Sequence, residues 1–139
     1  MSLPGLVGIG VDAVDVARFR DILARRPGFA ARYFSESEQA DCTSSADPAA
    51  SLAARFAAKE AVMKSLGCGL GAFALTDVEV CRAPGEGFTR NAPSIALHSG
   101  AAALAQAHGA GAFHLSLTHT TDVAIAFVVA ERAAACAPS

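Results

Sequence analysis

Two carboxylates and a knot of cations are the residues of this chain best suited to chemistry. Asp12 closes the apolar, glycine-containing run LVGIGV (6–11). Glu60 is the single acid in RFAAKEAVMKSLGCG (55–69), where Arg55, Lys59 and Lys64 surround it. Two oxygen ligands from separate elements, completed by waters and substrate phosphates, are how proteins commonly hold Mg²⁺. A plainer arrangement stays open: Asp12 caps the following helix and Glu60 pairs with Lys64 one turn on. Arg55, Lys59 and Lys64, followed by Gly67, Gly69 and Gly71, suit phosphate binding, or else form a solvated face with snorkelling stems. His119 stands between two threonines at a strand end, where most histidines are hydrogen-bonded turn residues. His98, His108 and His114 show no partner pattern and read as structural or exposed. Ser116 lies in no G-x-S-x-G frame, which argues against a hydrolase triad.

These residues need elements to carry them. Residues 6–11 read as a buried strand ending at Asp12, and 14–26 as a helix stopped by Pro27-Gly28. Ser35 with Glu38 three residues on is a capping-box pattern for a short helix over 35–42. Asp47 as cap and Pro48 at the first helical position open a long helix that ends before Gly67. Leu52, Phe56, Met63 and Leu66 form one stripe on it, with Glu60 at the edge. Lys59 projects into that stripe, which is odd unless its ammonium meets a polar site. Strands are expected at 76–82, within PSIALHS (93–99), and at 113–119 and 122–131. A turn region (83–91) and an Ala-rich helix (100–111) lie between them. The final hairpin requires antiparallel pairing, so the expected class is α+β, a mostly antiparallel sheet packed against one long core helix.

The length of 139 residues suits one domain over 1–139, and 53% hydrophobic with 17% charged residues marks a globular chain. One core of this size leaves little for a second lobe, so a site needing two would be completed by another copy. A net charge of −2 argues against a general nucleic-acid binder. Five of the eleven cations, Arg18, Arg20, Arg25, Arg26 and Arg32, fall within 18–32. That segment is either a solvated face or a patch for an acidic protein partner. The cysteines Cys42, Cys68, Cys81 and Cys136 form no C-x-x-C pair, which argues against zinc and disulfides and for a reducing, cytoplasmic setting. No signal peptide or membrane span is expected.

Three stretches, GIGVDAVDVARF (8–19), SLAARFAAKEAVMKSLGCG (51–69) and HLSLTHTTDVAIAFVVAE (114–131), resemble the holo-[acyl-carrier-protein] synthase family, the short phosphopantetheinyl transferases. The resemblance runs from the first strand to the last. It implies transfer of 4′-phosphopantetheine from coenzyme A to a serine of an acidic acyl carrier protein, with release of adenosine 3′,5′-bisphosphate and a requirement for Mg²⁺. It implies the metal pair at Asp12 and Glu60, and Lys64 as a catalytic cation. Coenzyme contacts would fall on Arg55, Lys59, Lys64, Gly67, Gly69, His119 and Thr120, and carrier contacts on Arg18, Arg25 and Arg32. It further implies a homotrimer with shared sites. Cys68 departs from the family, which often has Thr there, so a phosphate contact at that point is expected from backbone alone. A non-catalytic carrier-binding paralogue and a nucleotide pyrophosphate hydrolase are the alternative readings.

Overall fold

The computed structural model describes residues 5–69, 71–82 and 92–134. In chain order the elements are β1 (Leu6–Asp15), α1 (Val16–Arg25), α2 (Phe29–Tyr33), α3 (Glu36–Thr43), α4 (Pro48–Ser65), β2 (Val78–Arg82), β3 (Pro93–Leu97), α5 (Ser99–Ala107), β4 (Ala110–His119) and β5 (Val123–Arg132). A single 3₁₀ turn, Leu75–Asp77, leads into β2. The class is α+β, as expected. Strands pair in the order β1-β5-β4 in one antiparallel sheet, while β2 and β3 form a second. The expected turn region 83–91 and Cys136 lie outside the described residues.

Local signals place most boundaries. Ser35 and Glu38 form the reciprocal capping box at the start of α3. Asp47 accepts from the Ala50 amide at the head of α4, and Gly67 takes φ +70 just past its end, where an L side chain would be strained. Two expectations are corrected. The first strand does not stop at Asp12 but runs on to Asp15. Asp15, not Asp12, caps α1, accepting from the Arg18 amide at 2.9 Å. Residues 29–33, unassigned from sequence, form the extra short helix α2.

Helix α4 is also more deeply placed than one apolar stripe implies. Beyond its first residue, Pro48, only Lys64 along it is exposed. A helix walled on nearly every side must be small or apolar all round, and α4 carries Ala49, Ala50, Ala53, Ala54, Ala57, Ala58 and Ala61, all buried. The sheet covers one side, α1 and α3 another, and β2 a third. One core cluster joins Val62, Met63 and Leu66 to Val78, Val80, Ala126 and Val128. A second gathers Val16, Phe19, Phe34 and Leu52. Phe19, Phe29, Tyr33, Phe34 and Phe56 interlock there as ring pairs with centroids 4.7–6.5 Å apart.

The contact that matters most for the site is β1 against α4. A Cβ on Gly10 would lie 1.9 Å from the Ala61 carbonyl oxygen, and one on Gly8 would lie 2.1 Å from that of Ser65. Only glycine lets two backbones approach this closely. Side chains alternate along a strand, so Asp12 shares the inward face with Gly8 and Gly10. The two glycines therefore set Asp12 against the helix that carries Glu60.

Candidate active site

Asp12 and Glu60 meet. They line one open pocket of about 400 Å³ with Asp15, Arg18, Phe19, Ile22 and Phe56. Burial, then the charge of Asp12 and a hydrogen bond with it, push the Glu60 carboxyl up to about 7, against the opposite pull of Lys64. Lys64 reaches across β1 and donates to Asp12 Oδ1 and to the Val11 carbonyl, each at 3.0 Å. The plainer arrangement considered from sequence is thus not the one formed. Asp12 caps no helix, and among the described residues Lys64 makes its ion pair with Asp12 rather than with Glu60. Two acids and one ammonium occupy one spot, and the aromatic Phe56 forms part of its wall.

Arg55 and His119 come together in a different pocket, of about 310 Å³, with Asp41, Ser45, Ser51 and Arg82. The Arg55 side chain is buried and held by two anchors. Nη1 donates to the Val80 carbonyl at 2.8 Å, and Nη2 lies 3.5 Å from Asp41. A guanidinium has five N–H donors, so these contacts leave others for an anion in the pocket. His119 also borders a shallow depression with Arg20, Asp47 and Thr120. The Thr120 oxygen accepts from the Asp122 and Val123 amides and so shapes the β4–β5 turn, leaving its hydroxyl proton to donate.

Lys59 is corrected. Read as a coenzyme contact, it is instead fully buried, and its ammonium donates to Glu38 at 2.7 Å, to the Leu75 carbonyl at 3.0 Å and to the Val78 carbonyl. All three protons have internal acceptors, so none remains for a ligand. Desolvation pulls the Lys59 pKa down while Glu38 pulls it back up. Gly67 serves the helix end described above, and Gly69 has open space about it. Cys68 rests its thiol near the Leu66 carbonyl at 3.6 Å.

The three arginines expected to face a carrier, Arg18, Arg25 and Arg32, do not form one cluster. Arg18 lines the Asp12–Glu60 pocket. Arg25 pairs with Asp21 at 3.1 Å on the exposed face of α1. Arg32 lies over the Tyr33 ring at 5.4 Å, beside an apolar hollow that includes Met63 and Phe73. Sequence reasoning missed Ser45, Ser51 and Arg82 as neighbours of Arg55, and it missed Glu38 as the partner of Lys59. The last had a legible signal: a lysine in an apolar stripe requires a carboxylate.

Residues 8–128 match the 4′-phosphopantetheinyl transferase superfamily. The chain is 41% identical to the holo-[acyl-carrier-protein] synthase of Moorella thermoacetica, over 88% of this chain and 91% of that one. It is 48% identical to that of Frankia alni, over 91% and 98%. Its fold is similar to the holo-[acyl-carrier-protein] synthase of Helicobacter pylori solved in complex with coenzyme A. There the TM-score is 0.74 at 31% identity, covering 88% of this chain and 98% of that one. With a family match across nearly all of the strands and helices that build the acidic pocket, this chain belongs to the 4′-phosphopantetheinyl transferase superfamily.

Proposed function

We propose that the protein transfers the 4′-phosphopantetheine group of coenzyme A to a serine hydroxyl of an acidic acyl carrier protein, releasing adenosine 3′,5′-bisphosphate in an Mg²⁺-dependent reaction. The observation that carries this reading is the Asp12–Glu60 pair lining one pocket beside the Lys64 ammonium, with Arg18 on the same pocket wall. Hard oxygen donors fit Mg²⁺. Among the described residues no group of three His, Cys, Asp or Glu converges as a zinc or iron site would require. When bound by Asp12 and Glu60, the ion would offset the negative charge of the diphosphate and of the oxygen that leaves.

The protein's own groups do the rest. The serine oxygen forms a bond to the phosphorus that bears the pantetheine, and the bond from that phosphorus to the nucleotide oxygen breaks. Glu60, directly or through a water, takes the serine proton. Lys64 stabilises the charge gathering on the departing phosphate. Arg55 and His119 are suited to grip a phosphate of the coenzyme away from the reacting bond, and Arg18 to meet an acidic helix of the carrier. Free Cys42, Cys68 and Cys81 suit a cytoplasmic setting.

The protein works as a homotrimer in this reading. Ile9, Val11, Ile125 and Phe127 are 36–58% exposed on the outer face of the β1–β5 ladder, where Val11 sits opposite Phe127 and Ala13 opposite Ile125. Such an apolar face on a small chain calls for a cover. The acidic pocket and the Arg55–His119 pocket are separate on one chain, and in this reading a coenzyme held by both kinds of group spans two copies. The test is incubation with coenzyme A, Mg²⁺ and a panel of apo carriers, read by intact mass. One carrier gains the phosphopantetheine mass with the wild type, and Asp12→Ala and Glu60→Ala lose the activity with unchanged circular dichroism. Full modification by either variant would remove the carboxylate pair from the reaction. Breakdown of coenzyme A with no carrier present would make the protein a hydrolase.

A further inference from the structure

We propose that the buried Lys59–Glu38 pair is a positioning device for Arg55, setting the orientation in which its guanidinium receives a phosphate of coenzyme A. This rests on the reading of the Arg55 pocket given above. Glu38 and Lys59 are both 0% exposed. Glu38 Oε1 accepts from Lys59 and from the Ser35 amide, and Oε2 accepts from the Val80 amide at 3.1 Å. Lys59 adds bonds to the carbonyls of Leu75 and Val78 and lies 5.3 Å from the Phe34 ring centroid.

These bonds converge on one stretch of backbone. Among the described residues strand β2 has only β3 as a ladder partner, and side chains bond the backbone groups that face α4. The Val80 amide goes to Glu38, the Val80 carbonyl to Arg55, and the Val78 carbonyl to Lys59. Both anchors of Arg55 are therefore fixed by the pair. Val80 is held on its amide side by Glu38. Asp41, the second anchor, lies one turn from Glu38 on α3, the helix that Glu38 ties to α4 through Lys59. Arg55 and Lys59 are themselves one turn apart on the same side of α4. If the pair is removed, the helix stays, but β2 and α3 lose what sets their distance from it. A bidentate guanidinium tolerates little such drift, because its fork must match the anion in direction as well as distance.

A merely structural pair predicts something different, and the two are separable. Replacing a buried ion pair by apolar residues of similar size is often neutral for stability, whereas removing one partner strands a buried charge. The informative variant is the double substitution Glu38→Leu with Lys59→Met. The double variant also strips side-chain partners from the Ser35 and Val80 amides and the Leu75 and Val78 carbonyls, so the expected result is a lowered melting temperature and, at a temperature where circular dichroism shows the variant folded, a Kd for coenzyme A at least tenfold weaker by calorimetry with a Kd for the apo carrier within twofold of wild type. The second variant is Glu38→Gln, which keeps the shape and can accept from Lys59 or from the Val80 amide but not from both; its expected loss of coenzyme affinity is threefold or more. Unchanged coenzyme affinity in whichever variant folds overturns the proposal, as does an equal loss for coenzyme and carrier. Failure of the wild type itself to bind coenzyme A instead overturns the function proposed above.

Discussion

Gly10→Ala isolates the contact that brings the two carboxylates together. The added methyl would sit 1.9 Å from the Ala61 carbonyl oxygen and 2.9 Å from both the Ala61 carbonyl carbon and the Ser65 amide nitrogen. All are backbone atoms of α4, so no side chain can swing aside. Ordinary contact begins at 3.4 Å, so β1 must lift from the helix by about 1.5 Å. Overpacking of this kind costs about 1–3 kcal/mol, which corresponds to a melting temperature roughly 3–10 °C lower for a chain of this size. The loss of activity should be far larger than the loss of stability. Asp12 lies two residues along the same strand and moves with it, while Glu60 stays on α4. A misplacement near 1 Å at a reacting centre can cost about 100-fold in rate. The assay is carrier modification followed by mass at a temperature where circular dichroism shows the variant folded, with Mg²⁺ affinity by calorimetry alongside. Gly28→Ala is the control, since nothing lies within 4 Å of its added Cβ. A Gly10→Ala protein with wild-type melting and wild-type rate would refute the claim that close strand–helix approach sets the pair.

Three further outcomes are expected. The Glu60 pKa of about 7 lies above its ordinary value of 4.5, so between those limits the metal-free folded state keeps a proton that the unfolded chain has released. Stability should therefore fall as pH rises through that window, by on the order of 1–2 kcal/mol after allowance for solvent screening. Over the same window Mg²⁺ affinity should rise, approaching tenfold per pH unit and levelling above about 7; pH-independent affinity in calorimetry at pH 5.5, 6.5 and 8 contradicts this. Phe127→Glu places a charge on the exposed apolar face, and light scattering at micromolar concentration should show trimer for the wild type and monomer for the variant; an unchanged trimer moves the interface elsewhere. Arg18→Glu should weaken carrier binding at least tenfold and leave coenzyme binding within twofold, and equal losses would make Arg18 a structural residue.

Much of the architecture is legible from signals that act within a turn or two of chain. Ser35 and Glu38 announce α3, Asp47 and Pro48 start α4, Gly67 ends it, and the alternation near the C-terminus marks the β4–β5 hairpin. Such signals work because a cap or a strand period is satisfied by neighbours in sequence, whatever the rest of the molecule does. Asp12, Glu60 and Lys64 stand out as types in a pattern for the same reason, and so does the anomaly of Lys59.

The partners of those residues were decided only by packing. Lys64 faces Glu60 one turn away, yet bonds Asp12 across 52 positions, because Gly8 and Gly10 let β1 lie on the helix surface. Lys59 finds Glu38 across 21 positions, and a capping glutamate becomes the counter-ion of a buried ammonium. The strand that continues past Asp12 to Asp15 moves the capping duty down the chain and frees Asp12 for the pocket. A sequence shows which groups carry charge and which carry none. Which charge meets which depends on how closely two backbones approach, and that distance exists only once the strand has settled on the helix.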